Sequence, residues 1–512
     1  MSNAFSHVIR PKLNRRKFIK GSAAAAALGV TASIASSHPK RAELRTRLNA
    51  SKLPADHKVF EQYAEAVRKM HELPISDRRN WRRQAIIHAD HCAHDRRFFF
   101  PWHRHYIHQF ELICAELVGD PSFALPYWDW TVNRGSIPDA FYQLKPLNVE
   151  HWKDDGKHQA SAWGQINTSG IRLLKKGVGL QDDARRGGEF TNASIERKLS
   201  NRSFSTLTAE IDRPHGIAHV VIGGHMADGL SPLDPIFWLH HSNVDRLWHQ
   251  WQLAGNQSPN FTREWDHFSG PDGTAINVKA VDSLSAKDLG YTYDSIGDPA
   301  ELLVRAGLIP EESRGSSLVR SSPRSNDFDG SNAILAVSGE VRSAELEQKV
   351  ELIVKSKEIA ESLSKTQLSR DGSLPVLVGG LPPEALARFG REVELPRRIM
   401  ARIKLDHFKF DSSPVVNVFV NCPYLTTETT FAEPHFAGSF SLFGVHSKND
   451  SMPMQHEGHE VVVDITEPIQ RKGLLGSEVR IQLMPLSASD LVRDLEPKTQ
   501  FTVEGIEVFT TS

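Results

Sequence analysis

At 512 residues the chain is longer than one ordinary hydrophobic core supports, which favours two or three domains with room to bury a large site. Its 61 Lys and Arg nearly balance 62 Asp and Glu, so charge gives no case for a nucleic-acid or polyanion partner and a small-molecule substrate fits better. Three cysteines, Cys92, Cys114 and Cys422, are too few and too scattered for a disulfide scaffold or a cysteine-rich zinc site, whereas 24 histidines and 10 tryptophans suit imidazole ligands in an aromatic, dry pocket.

Residues 1–36 read as a targeting segment. Arg15-Arg16 precedes Phe18-Ile19, an apolar stretch from Gly21 to Ile34 follows, and small residues surround Ala35. This pattern resembles a bacterial twin-arginine export signal, which carries folded proteins, so a periplasmic or secreted chain is expected. No other stretch approaches the roughly 18–20 apolar residues that span a bilayer, and the mature form is expected to need no membrane.

Helical spacing dominates residues 55–255, and residues 37–310 are predicted to be a mainly α domain with long loops. Within it, residues 152–202 are polar and Gly-rich, a long excursion between helices. Residues 311–373 read as a linker; its Ser-, Arg- and Asn-rich part at 313–331 is a candidate protease-sensitive loop, and residues 340–364 are predicted to form one exposed charged helix. From 374 to 512 the pattern changes to short runs of period two, such as Val415-Val416-Asn417-Val418-Phe419-Val420 and Val479-Arg480-Ile481-Gln482-Leu483. Several such runs bounded by turn residues predict a small β-sandwich.

Two histidine constellations lie in the helical region. The first is Gln84-Ala85-Ile86-Ile87-His88, then Cys92-Ala93-His94, leading into Phe98-Phe99-Phe100-Pro101-Trp102-His103. From Pro101 onward, His103 shares a helical stripe with Ile107, Phe110 and Cys114 and so faces the core, while His105 and His108 fall off the stripe and are expected at the surface. In the second, His215 and His219 project from one helical face one turn apart, a spacing that lets two imidazoles share a metal. His240 and His241 follow in Asp234-Pro235-Ile236-Phe237-Trp238-Leu239-His240-His241-Ser242-Asn243-Val244-Asp245-Arg246, and periodicity alone does not choose between them. Imidazole-only sites suit copper, zinc, iron or nickel; no HExxH zinc signature occurs, and the repeated HxH motifs of multicopper oxidases are missing.

Together these stretches resemble the CuA and CuB signatures of tyrosinases, catechol oxidases and molluscan haemocyanins, over roughly residues 55–255. The resemblance implies a four-helix-bundle core, two copper ions, and dioxygen as co-substrate. It makes His88, His94 and His103 the CuA ligands and His215, His219 and His241 the CuB ligands, with His240 beside them in the outer shell. Only six positions separate His88 from His94, so His91 and His71 stand as alternatives for the first ligand. The C-x-H spacing of Cys92 implies a thioether to His94, the alternative being a buried thiol. Asp245 is expected to orient a ligand imidazole or to pair with an arginine such as Arg246, and Phe237 to wall the pocket. Gly216 stands where many efficient tyrosinases carry an Asn that helps hold a phenol-deprotonating water; Glu210 would then hold that water alone or be an ordinary solvated carboxylate.

The implied chemistry is oxidation of o-diphenols to o-quinones and ortho-hydroxylation of monophenols. The rivals are a catechol or o-aminophenol oxidase without monophenol activity, and a haemocyanin-like oxygen carrier. The C-terminal stretch resembles the sandwich that covers the copper site in latent polyphenol oxidases. Tyr424 or Leu425 is the expected plug, released by cleavage near 313–331, acid or detergent, while His456 and His459 are expected at the surface.

Overall fold

Local capping starts the helices. Asn80 accepts the amides of Arg82 and Arg83 at the head of one helix, Ser203 accepts Thr206 N–H at another, and Gly119, at φ 69°, closes a third in the left-handed conformation that glycine adopts without strain. In the computed structural model, residues 44–93, 96–151, 170–295, 334–355, 359, 398–410, 413–444, 459–470, 478–488 and 499–511 are described. The twin-arginine segment, His94, residues 313–331 and His456 lie outside them.

The helical part comprises α1 (Lys58–Glu72), α2 (Trp81–His91), α3 (Phe99–Val118), α4 (Ala140–Gln143), α5 (Asn192–Leu199), α6 (Phe204–Ile222) and α7 (Ile236–Leu253). Among the described residues, helices α2, α3, α6 and α7 carry the histidines of both constellations. Strand β1 (Arg45–Arg47) pairs in parallel with β4 (Tyr291–Tyr293), and β2 (Glu264–Ser269) pairs with β3 (Ala275–Lys279). These small sheets cover the side of α3 that its stripe leaves open, which overturns the expected exposure of His105 and His108. Both are buried: His105 Nε2 lies 2.8 Å from Lys279 O, and His108 stacks against Tyr291.

The remaining strands form an antiparallel sandwich. They are β5 (Ile334–Ser338), β6 (Arg342–Glu345), β7 (Val350–Lys355), β8 (Arg398–Phe410), β9 (Val415–Val420), β10 (Phe436–Ser441), β11 (His459–Asp464), β12 (Glu478–Leu486) and β13 (Thr499–Thr511), with the short helix α8 (Thr466–Gln470) after β11. One sheet runs β10-β9-β12-β7, the other β11-β8-β13-β5, with β6 also on β13. The exposed helix expected at 340–364 is therefore corrected: β6 and β7 stand there, and the sandwich begins well before residue 374. The reason is the alternation Val350, Leu352, Val354, which buries one face of a strand while Glu351 and Lys355 stay on the other; charge content had masked the period of two.

Strand β9 is buried throughout because both of its faces are covered. Val416, Val418 and Val420 enter the sandwich core, whereas Val415 joins the helical core and Asn417 Nδ2 donates to Arg185 O at 2.7 Å. The sandwich thus lies directly on the bundle, with β10 against α6.

Candidate metal centre

Five of the six expected ligands are described, and all five come together. His88, His103 and His241 form one group and His215, His219, His240 and His241 another, with one possible ligand atom from each residue of a group lying within 4.8 Å of the rest. His241 belongs to both. His91 instead sits exposed, stacked on His267, and His71 stacks on Trp81, so the geometry favours His88 over either.

Main-chain carbonyls set the tautomers. Nδ1 of His88 lies 2.9 Å from Gly229 O, Nδ1 of His103 2.8 Å from Phe99 O, and Nδ1 of His219 2.7 Å from Met226 O. A carbonyl can only accept, so each Nδ1 carries the proton and the lone pair is left on Nε2. His215 Nδ1 lies 3.0 Å from Asp212 Oδ1, and the Nε2 atoms of His215 and His219 converge to 3.2 Å. Among the described residues neither ring nitrogen of His241 has a hydrogen-bond partner. Burial, reinforced by neighbouring imidazoles, pushes His219, His240 and His241 well below the usual histidine range, so they are neutral donors at physiological pH. Buried, neutral, converging imidazoles with anchored Nδ1 atoms fit a nitrogen-preferring metal such as copper.

Aromatic rings close the surroundings. Phe237, fully buried, lies 4.3 Å from His241, 5.0 Å from His88 and 5.9 Å from His219 between ring centres. His240 lies against His215 and Trp130, and its own nitrogens have no partner among the described residues. Cys92 Sγ is 3.3 Å from His103 Nε2; its expected partner His94 is outside the described residues.

Several assignments change. Asp245 does not orient an imidazole: its carboxylate takes Arg104, Arg47, Tyr291 and Tyr293 in a buried network, with no pairing to Arg246. Burial works to raise Asp245, but Arg104 and Arg47 outweigh it and hold the carboxyl below its usual range. The network ties β1 and β4 to α3 and α7, since Arg47 also pairs with Glu111 at 2.7 Å. Glu210 is not solvated either. It is buried, accepts from Asn201 and lies 4.0 Å from Arg213, and burial raises it despite that arginine.

The carboxylate on His215 is Asp212, which residue order did not single out; its place three residues before His215 on one helix was the available signal. The plug is corrected as well. Tyr424 is 52% exposed and hydrogen-bonds Glu433, while Leu425 sits among Phe419, Cys422 and Met484, a cluster apart from both the sandwich core and the histidines. The ring that reaches the histidines from the sandwich is Phe443, stacked on His219 at 4.0 Å and 11° and edge-on to His215 at 6.0 Å.

Residues 65–254 match the family described as the common central domain of tyrosinase. Chloroplastic polyphenol oxidase A1 of Vicia faba is 27% identical over 323 residues, 55% of this chain and 52% of that protein. A tyrosinase of Hahella sp. (strain CCB-MM4) is 26% identical over 298 residues, covering 49% and 63%. The chain spans about half the length of the first plant relatives it matches. In structure it resembles latent apple tyrosinase, with a TM-score of 0.56 at 20% identity over 93% of this chain and 98% of that one. A recombinant latent aurone synthase (polyphenol oxidase) gives 0.54 at 19% identity, over 93% and 91%. Among the described residues no helix is long and apolar enough to cross a membrane. The converging imidazoles thus lie within the stretch, residues 65–254, that matches the common central domain of tyrosinase, in a chain whose helical-plus-sandwich fold is similar to that of latent apple tyrosinase.

Proposed function

We propose that this chain oxidises phenols with dioxygen at a pair of copper ions, converting o-diphenols to o-quinones and hydroxylating monophenols at the ortho position, in a form held latent by its sandwich. The observation that carries this is the two buried histidine groups joined at His241 inside the tyrosinase domain. His88, His94 and His103 would hold one ion and His215, His219 and His241 the other, with His240 alongside and a Cys92–His94 thioether restraining the unseen ligand. Copper bound there supplies two one-electron centres that together reduce dioxygen by two electrons.

The chain's own work is positioning and exclusion. Carbonyls of Gly229, Phe99 and Met226 fix three imidazoles with Nε2 as donor, and Asp212 does the same for His215. Phe237 and Phe443 keep bulk water away and offer flat apolar faces to an aromatic ring. Phe443 reaches from the sandwich to stack on His219, which supports latency relieved by cleavage at 313–331 or by acid. Substrates are small phenols, with no nucleic acid involved. Arg15-Arg16 and the apolar run after it support export by the twin-arginine route to the periplasm or beyond.

The test is oxygen consumption with a catechol and with its matching monophenol, using copper-loaded full-length protein before and after limited proteolysis. Quinone formation that rises on proteolysis, with a pair of coppers per chain, is expected. Reversible oxygen uptake without quinone would instead mean a carrier, and lack of copper binding would end the proposal.

A further inference from the structure

We infer that Gly216 is the seat of the covering segment: the missing side chain at 216 lets Ser441 press into α6, and this contact brings Phe443 over His219. The inference rests on the latency reading above and adds what controls closure. Gly216 lies in the interior of α6, where glycine weakens a helix relative to alanine, and its backbone is not in the left-handed region that would require it. Space explains it instead. A Cβ at 216 would stand 2.6 Å from Ser441 Oγ and 3.5 Å from Phe443 Cβ. Ser441 Oγ in turn accepts Phe443 N–H at 3.4 Å, so the atom that fills the notch also steadies the plug residue.

The strand that bears Ser441 has little freedom to back away. Ser439 N–H donates to Glu189 Oε1 at 2.7 Å, Arg213 Nη1 donates to Val462 O at 3.1 Å, and a Cβ on Gly438 would come within 2.8 Å of Glu189 Oε1. With β10 and β11 fixed to the bundle by these contacts, a side chain at 216 displaces the segment just after β10 rather than the whole sandwich. Alanine meets only the tip of Ser441, which can rotate. Asparagine must also drive out Phe443. Residue size at 216 therefore grades closure, and an asparagine at this position is incompatible with a seated cover.

The test compares copper-loaded full-length wild type with Gly216→Ala, Gly216→Asn, Ser441→Gly and the double variant Gly216→Ala/Ser441→Gly. Two readouts are taken: amide hydrogen exchange at residues 441–444, and catechol oxidation per bound copper without proteolysis. Exchange at 441–444 should quicken about tenfold in Gly216→Asn and less in Gly216→Ala, whereas the double variant should exchange no faster than Ser441→Gly alone, which has already lost the Oγ acceptor of Phe443 N–H, with oxidation following the same order. If Gly216→Ala and Gly216→Asn both leave exchange at wild-type rates, or if Gly216→Ala quickens exchange as much in the Ser441→Gly background as in wild type, the seat is wrong. Should Gly216→Asn not fold, the alanine and double variants decide alone. Altered exchange with no catechol oxidation in any protein, proteolysed or not, would uphold the seat and sink the enzymatic reading.

Discussion

The histidine bundle and the sandwich that covers it are stabilised in different ways. In the bundle, His219, His240 and His241 are held neutral by burial, the converging imidazoles are ringed by aromatic side chains, and His88, His103 and His219 are anchored to main-chain carbonyls, so the centre depends on helix geometry and little on solution charge. Where the sandwich meets the bundle, ions are buried on each side: Glu189 pairs with Lys198 at 2.6 Å and Arg213 at 3.4 Å within the bundle, Arg398 pairs with Asp464 at 3.3 Å within the sandwich, and Glu189 also accepts Ser439 N–H across the seam at 2.7 Å. A centre built from carbonyl-fixed imidazoles is rigid, whereas a seam in which the buried Glu189 carboxylate holds Ser439 N–H is open to acid.

Breaking the bundle should cost most. His219→Ala removes a converging Nε2 donor and the surface on which Phe443 stacks; loss of copper by metal analysis and loss of catechol oxidation are expected together. Next comes the seam. Breaking one partner of a buried ion pair costs about 3–5 kcal/mol, so Glu189→Ala should lower stability by that order in denaturant unfolding while leaving isolated copper ligands intact. The pH dependence has a definite sign. Burial works to raise Glu189, but Arg213 and Lys198 overcome it and hold the carboxyl at about 2. Its share of stability is therefore complete above the ordinary carboxyl value of about 4.3 and is lost as pH falls from there toward about 2. Acid should loosen the cover of wild type in that window, measured by protease sensitivity, and the loss should be muted in Glu189→Gln.

Smaller effects sharpen the same contrast. Asp212→Asn keeps the shape but weakens the hold on His215, and outer partners of metal ligands typically contribute about 10–100-fold, so copper affinity should fall within that range on competition with a chelator. Phe443→Ala should raise catechol oxidation by the unproteolysed chain several-fold with copper content unchanged. Tyr424→Ala, at an exposed site, should change stability by no more than about 0.5 kcal/mol and leave latency as it was. A clear gain of activity there would restore Tyr424 as the plug.

What could be read from residue order followed the range of the forces involved. His215 and His219 were legible because a helix fixes neighbours four apart, and the two-part architecture was legible because hydrophobic period changes from helical to alternating along the chain. The helix expected at 340–364 failed because its charged residues hid the alternation of Val350, Leu352 and Val354. His105 and His108 were misjudged because one stripe says nothing about sheets that arrive from distant sequence to bury the opposite side of a helix.

By itself, then, the sequence determined the metal-binding helices, the sandwich alternation and the likeness to the tyrosinase family, all of which rest on spacings of a few residues. Tertiary structure alone decided that Asp245 belongs to an arginine and tyrosine network, that Asp212 meets His215, and that Phe443 rather than Tyr424 or Leu425 covers the histidines. Phe443 and His219 are more than two hundred positions apart, and only the register of β10 against α6 brings their rings together. No local periodicity encodes such a contact, because it depends on how two separately formed cores fit face to face.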